Sequence, residues 1–497
     1  MKEVLYKSTR DSSIRVTASQ AILKGLSDDG GLFLPDAVPV LDIPMKKIAN
    51  MKYQEEAYEV MSRFYTDFTE EELKNCITKA YDSKFDTEVI APLVEADGAY
   101  YLELFHGQTI AFKDMALSIL PHLMITSAKK NHIKNDIVIL TATSGDTGKA
   151  ALAGFAKVEG TKIIVFYPKN GVSAIQERQM VTQDGDNTFV VGIHGNFDDA
   201  QTGVKKIFSD REFAEELDRK GYQLSSANSI NIGRLIPQVV YYVYAYGVML
   251  KEGRIADGEK INVVVPTGNF GNILAAYFAK QMGVPIARLI CASNDNKVLY
   301  DFFKTGEYNK NRKFVLTSSP SMDILISSNL ERLIYLIAGS DDKKNCEMMN
   351  LLATKGVYTI TDGMKEKLGD FEAGYATEAQ TASRIKELYE KTGYVLDTHT
   401  AVASYVYQQY VKDTDDHTKT VIASTASPFK FGPSVMEAID GRKHDGEDMF
   451  ELADKLSDIA NVKVPAAVSE LKTAPIRHNH VCDKTEMKSM IREFLQM

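Results

Sequence analysis

The sequence predicts an α/β protein that is built on parallel or mostly parallel sheets covered by helices. Short apolar runs of buried-strand type recur along the chain, beginning near positions 137, 162, 188, 261 and 288, with a late one at position 421. Most of these runs lead through a short loop into a segment with helical periodicity. Strands that alternate with helices form parallel sheets with both faces covered. Ligands of such sheets bind at the carboxyl ends of the strands, so we expect the functional site in the loops that follow them.

The composition is that of an ordinary globular protein and excludes several classes. The chain has 497 residues, of which 44% are hydrophobic and 25% charged, enough for about three domains. A formal net charge of −9 argues against general nucleic-acid binding. The four cysteines form no CxxC pair and the histidines show no HExxH spacing. We therefore expect no disulfide framework, no metal site and a cytoplasmic location.

Two segments are candidates for membrane targeting or insertion, and the sequence of neither supports it. The amino-terminal stretch MKEVLYKSTRDS lacks the apolar core of a signal peptide. The longest apolar stretch, residues 236–250, contains Pro237, Gln238 and four tyrosines, so it is too short and too polar to span a bilayer. It predicts a buried helix. We also expect residues 340–375 to be a surface helical excursion and the last fifty residues to be a helical tail.

A single lysine, Lys113, stands at the start of an amphipathic pattern in the stretch FHGQTIAFKDM. Gly107 precedes it as a turning point and Thr109 as a candidate N-cap, so the pattern places Lys113 in the first turn of a helix. The positive helix end and apolar neighbours would lower the pKa of such an amine and favour a nucleophile. A solvated lysine that simply starts a helix is the alternative. Pro121 should kink or end this helix.

Two loops between a strand and a helix have the composition of anion sites. The first, PTGNFGN at 266–272, has two glycines that let consecutive backbone N–H groups turn toward one point beside a helix N-terminus. A tight turn with close packing is the alternative. The second, TATSGDTGK at 141–149, fails as a Walker A motif because Thr143 replaces its first glycine and Ala150 its hydroxyl residue. Its small hydroxyl residues and backbone donors suit a carboxylate, or serve only as helix caps.

Three further segments supply polar groups. SSANSINIGR at 225–234 places Arg234 among hydroxyl and amide donors, which suits a phosphate dianion, with Lys149 as a candidate helper. A structural ion pair of Arg234 is the alternative. STASPFKFG at 424–432 offers a hydroxyl at a strand end and Lys430 as a second cation. His399 lies near a predicted helix start, where a lone histidine is more often structural than catalytic.

Taken together, these motifs resemble the threonine synthase family of fold type II pyridoxal-phosphate enzymes, which is related to tryptophan synthase β chains. The segments YKSTR, SDDGGLFLP, HGQTIAFKD, TATSGDTGKAA, SSANSINIGRLIPQ, PTGNFGNILA and STASPFKF follow in the family order over nearly the whole chain. The resemblance implies an N-terminal α+β domain over 1–95 and a large cofactor-binding domain over 96–125 and 236–440. It also implies a small mobile α/β domain over 126–235 and a C-terminal helical extension over 441–497.

The resemblance also implies the site and its cofactor, pyridoxal 5'-phosphate. Lys113 would bind the cofactor covalently and act as the catalytic base, and Thr425 would face the pyridine nitrogen. The backbone of five residues would hold the cofactor phosphate: Gly268, Asn269, Phe270, Gly271 and Asn272. The substrate would be held by two groups of residues, one for its carboxylate and one for its phosphate: Thr143, Ser144, Gly145, Asp146 and Thr147, then Ser226, Asn231 and Arg234, with Lys149 as helper.

The implied reaction is that of a carbon–oxygen lyase in threonine biosynthesis, which converts O-phospho-L-homoserine and water to L-threonine and phosphate. The expected partner is therefore a small-molecule substrate, and the sequence gives no prediction of oligomeric state. A hydroxy-amino-acid dehydratase of the same fold type is the nearest rival, and it would need no phosphate pocket at Arg234. A phosphate-binding NTPase or kinase and a non-catalytic relative are two more distant rivals. The failed Walker A match argues against the former, and Lys113 with both glycine loops argues against the latter.

Overall fold

The structure, a computed structural model, describes residues 3–143, 145–444 and 446–497. Its strands in chain order are β1 Tyr6–Ser8, β2 Phe33–Pro35, β3 Leu93–Ala96, β4 Ala99–Glu103, β5 Asp136–Ala142, β6 Thr161–Pro168, β7 Thr188–His194, β8 Tyr222–Ser225, β9 Ile261–Pro266, β10 Ile286–Ser293, β11 Glu307–Asn309, β12 Val357–Thr359, β13 Phe371–Tyr375, β14 Thr420–Ser424 and β15 His480–Asp483.

Helices occupy the connections between these strands. In chain order they are α1 Ala18–Lys24, α2 Met45–Ile48, α3 Tyr53–Phe64, α4 Glu70–Ala80, α5 Asp114–Leu117, α6 Leu120–Lys130, α7 Asp146–Phe155, α8 Ala174–Val181, α9 Phe197–Phe208, α10 Arg211–Arg219, α11 Ile232–Lys251, α12 Gly271–Gln281, α13 Val298–Thr305, α14 Leu330–Ile337, α15 Asp342–Thr354, α16 Asp362–Glu366, α17 Glu378–Thr392, α18 Thr398–Thr414, α19 Gly432–Asp440, α20 Met449–Ala460, α21 Ala466–Ser469 and α22 Met487–Leu495. Short 3₁₀ turns cover Pro320–Met322, Pro428–Phe431 and Glu470–Lys472.

Two large sheets organise the molecule, as the alternation of strands and helices predicts. The first has the order β13-β10-β9-β14-β4-β3 and is parallel except for the antiparallel hairpin of β3 and β4. The second has the order β15-β7-β6-β5-β8 and is parallel throughout. Two antiparallel pairs, β1 with β2 and β11 with β12, complete the strand pairing in the described part of the chain. The predicted α/β class is confirmed.

Helix α11 is the buried helix that the longest apolar stretch predicts. Most of its side chains are fully buried, and Pro237 lies inside it near its start. It packs against α3 and α12, so it joins the N-terminal region to the first sheet. Among the described residues, no helix is both long and apolar enough to cross a membrane.

The N-terminal region contains two helices, α3 and α4, which a turn separates. Thr69 caps α4 and Glu72 returns the hydrogen bond to the Thr69 backbone, as the capping-box spacing predicts. Ser27 to Pro35 is a turn that leads into β2.

Two predictions about the last third of the chain are wrong. Residues 340–375 are more than a helical excursion, because they contribute β12 and the edge strand β13 of the first sheet. The last fifty residues are more than a helical tail, because β15 pairs with β7 at the edge of the second sheet and α22 packs in the same core. Both strands are short edge strands in polar sequence, where an alternating pattern is weak. The predicted domain boundaries stay a prediction.

Candidate active site

The predicted site loops meet where the strands of both sheets end. In the first sheet, Lys113 follows β4, the loop from Gly268 follows β9, and Thr425 follows β14. In the second sheet, Thr143 follows β5 and Ser226 follows β8. Within each sheet the strands that these loops follow run parallel to one another, so each set of loops shares one edge. An ion pair between Lys113 and the loop that follows Thr143 joins the two edges.

The turn that carries Lys113 is organised by Asp114 rather than by a Thr109 cap. Thr109 donates from its backbone N–H and its hydroxyl to the Asp114 carboxylate, both at 2.7 Å. Gly107 is needed because a Cβ there would lie 2.5 Å from Asp114 Cβ. Lys113 itself is the N-cap of α5, which is only four residues long, and Pro121 lies in the first turn of α6. The helix is therefore shorter than the apolar pattern suggests, as Pro121 predicts.

The Lys113 amine is buried among polar groups of two other elements, α7 and the 3₁₀ turn Pro320–Met322. Its Nζ lies 3.4 Å from Asp146 Oδ2 and 3.2 Å from Ser321 Oγ. The residue is 8% exposed. Burial is the main cause that lowers the pKa of Lys113, and the charges of Lys430 and Arg234 lower it further, whereas Asp146 acts in the opposite sense. A buried lysine with a lowered pKa has the properties of a nucleophile or general base.

Asp146 is the common partner of two lysines. Besides Lys113, it pairs with Lys430, whose Nζ lies 3.1 Å from Asp146 Oδ1, and it accepts a hydrogen bond from Gln176 Nε2 at 2.8 Å. Burial alone would raise the pKa of Asp146, but Lys430, Lys113 and Gln176 outweigh it and hold that pKa well below its usual range. The carboxylate is therefore ionised at neutral pH. The sequence named Lys430 only as a possible second cation, and the structure places it in this ion pair.

Ser321 and His399 support the same centre from the other side. The Ser321 hydroxyl lies 3.2 Å from both Lys113 Nζ and Asp146 Oδ2, and its backbone N–H donates to His399 Nε2 at 3.2 Å. His399 is buried and its Nδ1 lies 3.1 Å from Asp397 Oδ1. Sequence reasoning missed Ser321 and Gln176 because their partners are distant in the chain. It also missed Asp397, although its partner His399 is only two residues away. The capping spacing of Ser173 with Gln176 marks a helix start but gives no hint of the contact with Asp146.

The loop after β9 has the backbone geometry of an anion cradle. Among the described residues, the backbone N–H groups of 268–273 donate to no acceptor. The chain turns there because Phe270 adopts a left-handed conformation with φ of 63° before α12 begins at Gly271. The loop is held from outside: Ser327 Oγ donates to Gly268 O at 2.7 Å and Asn329 Nδ2 to Asn269 O at 2.9 Å. Free donors at a helix N-terminus bind phosphate well.

Gly268 lies against the segment that carries Ser321. A Cβ at Gly268 would lie 2.5 Å from Ser321 O, so no larger residue fits without a backbone shift. The cradle and the Lys113 amine thus both lie against one short 3₁₀ turn, Pro320–Met322. Asn272 faces inward as well, because its side chain is buried and its Nδ2 has no partner in the described structure.

Thr425 is buried where the Lys113 segment pairs with the loop after β14. Its carbonyl accepts from Phe112 N at 2.8 Å, and its N–H donates to Thr400 Oγ1 at 3.2 Å. Ala111 and Ala426 form an isolated bridge beside it. The Thr425 hydroxyl makes no hydrogen bond with the described residues, so it is free to meet a heteroatom of a ligand.

Arg234 is a buried cation without a carboxylate. The residue is 3% exposed, its Nη1 donates to Ala227 O at 3.0 Å, and its Nε has no partner in the described structure. Burial lowers the pKa of Arg234 to about 10. Uncompensated buried charge is costly, so an anionic ligand near Arg234 would relieve that cost. The structural ion pair, which the sequence left open for Arg234, does not occur among the described residues.

Asn231 and Ser226 precede Arg234 in the chain, and their side chains form hydrogen bonds within the protein. The Asn231 amide donates to Ile22 O at 3.0 Å and to Ser226 O at 3.1 Å, while its Oδ1 accepts from Gly233 N at 2.8 Å. Ser226 Oγ accepts from Asn228 N at 3.2 Å. The Asn231 side chain therefore has little capacity left for a ligand, and its predicted role in binding stays a prediction.

The loop after β5 is pinned by Thr143. Its Oγ1 accepts from Gly145 N at 3.0 Å and from Gly148 N at 2.9 Å, so this side chain caps α7, one of the two roles that the sequence allows for this loop. Gly145 has φ of 134° and is packed on Gln176, where a Cβ would lie 2.4 Å from its side chain. Thr147 is half-buried. The predicted substrate contact of Ser144 lies outside the described residues.

Lys149 is buried on α7. It is 9% exposed and its Nζ donates to the Gln183 side-chain oxygen. Burial lowers the pKa of Lys149 to about 8. Among the described residues it forms no ion pair, although the charge of Asp114 opposes the effect of burial on its pKa. Lys149 is therefore, like Arg234, a buried cation without a contacting carboxylate. No group of histidines, cysteines and carboxylates in the described part of the chain could hold a metal ion, and the four cysteines form no disulfide.

Comparison with known proteins agrees with this geometry. Residues 88–427 match the family model described as pyridoxal-phosphate dependent enzyme, so the fold and the buried lysine define a fold type II pyridoxal-phosphate enzyme. Residues 5–81 match the model for the threonine synthase N terminus, and residues 400–491 the model for the threonine synthase C-terminal region. The chain belongs to the threonine synthase family.

Individual relatives match most or all of the chain. The threonine synthase of Saccharomyces cerevisiae is 35% identical over 490 residues, which cover 92% of this chain and 94% of that protein. The crystal structure of threonine synthase from Brucella melitensis, with pyridoxal phosphate bound, superposes with a TM-score of 0.86 at 33% identity and full coverage of both chains. Threonine synthase-like 1 of Pongo abelii is 42% identical over 434 residues, 85% of this chain, and this chain spans 58% of the length of that relative.

The residues of the site fit pyridoxal phosphate, the cofactor of this family. The free N–H groups of 268–273 suit its phosphate, and the unpaired Nδ2 of Asn272 and the free Thr425 hydroxyl suit the polar atoms of its ring. Lys113 supplies an amine with the lowered pKa that covalent attachment to a carbonyl carbon needs. We expect these residues to hold the cofactor.

Proposed function

We propose that this protein is a threonine synthase that converts O-phospho-L-homoserine and water to L-threonine and phosphate. The observation that carries the proposal is the pair of buried cations, Arg234 and Lys149, which have no carboxylate partner beside the buried Lys113. A substrate with a phosphate dianion would compensate them, whereas a plain hydroxy amino acid would leave at least one unpaired. The 35% sequence identity to yeast threonine synthase, over 92% of the chain, supports the same reaction.

The roles of the substrate residues follow from their places. The loop of Thr143, Gly145, Asp146 and Thr147 ends at the N-terminus of α7, whose backbone donors suit the substrate carboxylate. Arg234, at the start of α11, would hold the substrate phosphate, with Ser226 and Lys149 as further donors. Asn231 would act mainly by fixing the loop that presents Ser226.

The chemistry divides between cofactor and protein. Pyridoxal phosphate, when bound, supplies the electron sink for cleavage of bonds to the substrate's Cα. Lys113 Nζ would accept the proton from Cα and then the proton from Cβ, which a buried amine of lowered pKa can do. Phosphate would leave from Cγ toward Arg234, a proton would be delivered to Cγ, water would add its hydroxyl at Cβ, and Lys113 would return a proton to Cα. Asp146 and Lys430 keep the charge around Lys113 balanced while its protonation changes.

The direct test is product analysis with the purified, cofactor-loaded protein. We expect O-phospho-L-homoserine to give L-threonine and phosphate in equal amounts, measured by proton and phosphorus NMR. The Lys113→Ala variant should be inactive and should lack the visible absorbance band of lysine-bound cofactor. If the protein instead converted L-threonine or L-serine to a 2-oxo acid and ammonia, and left phosphohomoserine untouched, the dehydratase function would replace the proposal.

The phosphate pocket has its own test in Arg234→Ala. Charge-assisted hydrogen bonds contribute about 1.5–3 kcal/mol each, so KM for phosphohomoserine should rise by roughly 10- to 150-fold. The Kd for pyridoxal phosphate should change little, because Arg234 lies outside the cradle of 268–273. Arg234→Lys, which keeps the charge, should show a smaller effect. An equal loss of substrate and cofactor affinity would remove the case for a substrate phosphate site at Arg234.

A further inference from the structure

The Ser321 segment joins the Lys113 amine to a histidine that the reaction scheme does not use. Ser321 Oγ lies 3.2 Å from Lys113 Nζ and 3.2 Å from Asp146 Oδ2. Ser321 N donates to His399 Nε2 at 3.2 Å. The backbone and the side chain of one serine therefore contact groups from three separate parts of the chain.

The directions of these hydrogen bonds follow from which groups can donate. The Asp146 carboxylate can only accept, so the Ser321 hydroxyl hydrogen points to Asp146 and its lone pairs face Lys113. The Lys113 amine must then be the donor to Ser321 Oγ. With a second N–H directed to Asp146, at 3.4 Å, two directions at the Lys113 nitrogen are fixed.

The same reasoning fixes the tautomer of His399. A backbone N–H can only donate, so Nε2 of His399 accepts from Ser321 and the proton of the neutral ring lies on Nδ1. That Nδ1–H donates to Asp397 Oδ1 at 3.1 Å. Asp397 is rigid in turn, because its carboxylate caps α18 by accepting from His399 N at 2.8 Å and Thr400 N at 3.3 Å.

Packing holds this chain of contacts in place. The His399 ring lies against the Phe431 ring with 4.9 Å between centroids. On the other side, the Ser321 carbonyl lies against Gly268, at a distance that admits no Cβ. The serine is thus fixed between a buried histidine and the loop that forms the phosphate cradle.

We infer that Ser321 is a positioning residue for the Lys113 amine, and that His399 positions Ser321. Because the two N–H groups of the free Lys113 amine point to Ser321 and Asp146, its lone pair is held in one direction. A base that removes protons from two adjacent carbons needs such a fixed direction. The base role of Lys113 rests on the proposed function. The geometry assigns neither Ser321 nor His399 a contact with the substrate.

The first experiment compares Ser321→Ala with Ser321→Thr, which keeps a hydroxyl, and with Ser318→Ala as the matched control. Ser318 lies in the same segment and its hydroxyl makes no hydrogen bond with the described residues. A misdirected catalytic group costs up to about 100-fold in rate, so we expect Ser321→Ala to lower kcat by about 10- to 100-fold, with KM changed less than about threefold. Ser321→Thr should recover most of kcat, and Ser318→Ala should match the wild type.

Two further measurements do not depend on turnover of phosphohomoserine. In deuterated water, exchange of the Cα proton of L-threonine, followed by NMR, should slow in Ser321→Ala by the same factor as kcat. The rate at which cofactor-free protein forms the visible band after mixing with pyridoxal phosphate should fall about tenfold, because the same amine attacks the aldehyde carbon. If the wild type makes no threonine, the proposed reaction fails, and this uptake rate still decides the role of Ser321.

The second pair of variants, His399→Ala and His399→Gln, tests the support of Ser321. A glutamine carbonyl can accept from Ser321 N in place of Nε2, whereas alanine cannot. We expect His399→Ala to lower kcat and cofactor uptake about tenfold and His399→Gln to recover part of both. Equal values of kcat and uptake rate in Ser321→Ala and wild type would overturn the inference. So would equal losses in His399→Ala and His399→Gln at unchanged Tm.

Discussion

Replacing Asp146 by asparagine removes the carboxylate that Lys113 and Lys430 share. The two lysine nitrogens lie 3.4 Å and 3.1 Å from its oxygens, and Asp146 is buried. Lys113 can release its proton, since burial already lowers its pKa. Lys430 is 2% exposed and would keep only its hydrogen bond to Thr109 O. The main cost of the substitution should therefore fall on an unpaired Lys430.

The magnitude follows from the Lys430–Asp146 distance. At an effective dielectric constant of about 20, two unit charges 3.1 Å apart attract by about 5 kcal/mol, which is a ceiling for the pair. Loss of one partner of a buried ion pair typically costs about 3–5 kcal/mol. We therefore expect Asp146→Asn to lower the free energy of unfolding of the cofactor-free protein by about 3–5 kcal/mol at pH 7.

A double-mutant cycle isolates this pair. Asp146→Asn, Lys430→Met and the double variant would be unfolded in urea beside the wild type. Because removing both charges leaves no unpaired ion, the double variant should be more stable than either single variant, with a coupling energy of about 3 kcal/mol or more. Additive single effects, with a coupling energy below about 0.5 kcal/mol, would refute the assignment of the cost to Lys430.

The pH dependence provides a second check on Asp146. Its pKa is lowered in the folded protein, so its contribution to stability is present above the unfolded pKa of about 3.9 and is lost as the pH falls below it. The difference in stability between wild type and Asp146→Asn should therefore be constant from about pH 5 to 7 and should narrow in more acidic solution. A difference that grows on acidification would contradict the lowered pKa.

Three further outcomes are expected elsewhere in the molecule. Gly268→Ala should weaken pyridoxal phosphate binding by at least about tenfold in an absorbance titration, because the new Cβ would lie 2.5 Å from Ser321 O, whereas Gly363→Ala, with nothing within 4 Å, should bind normally. Burial alone would lower the pKa of His106, but hydrogen bonds to Asp86 and Glu103 outweigh it and raise that pKa to about 9. The contribution of protonated His106 to stability is full below about pH 6.5 and is lost as the pH rises through about 9. The free energy of unfolding of the wild type should therefore fall by up to about 3 kcal/mol over that range, whereas that of His106→Gln should not. Ile491→Ala should cost about 2–5 kcal/mol in chemical unfolding, since Ile491 is fully buried in the core that α22 shares with the second sheet, and a surface-like loss below about 0.5 kcal/mol would contradict that docking.

The sequence was most informative where one local pattern determines one element. The apolar runs at 137, 162, 188, 261, 288 and 421 are strands β5, β6, β7, β9, β10 and β14, and the loops after them carry the site. The parallel order of the strands brings these loops together, because loops at the carboxyl ends of parallel strands share an edge whatever their distance in the chain. Short polar edge strands such as β13 and β15 lack that local pattern, and their pairing depends on neighbours far along the chain.

The contacts around Lys113 show why the site was only partly predictable. A lysine before an apolar stripe marks a candidate amine, but its chemistry depends on partners 33 residues away at Asp146 and 208 residues away at Ser321. Lys430 could be named as a cation, yet nothing local relates it to Asp146. Ser321 lies in an ordinary segment, PSMD, that no motif distinguishes. Residue types reveal which groups can react, whereas the lowered pKa and fixed direction of Lys113 arise only when the two sheets bring their loops together.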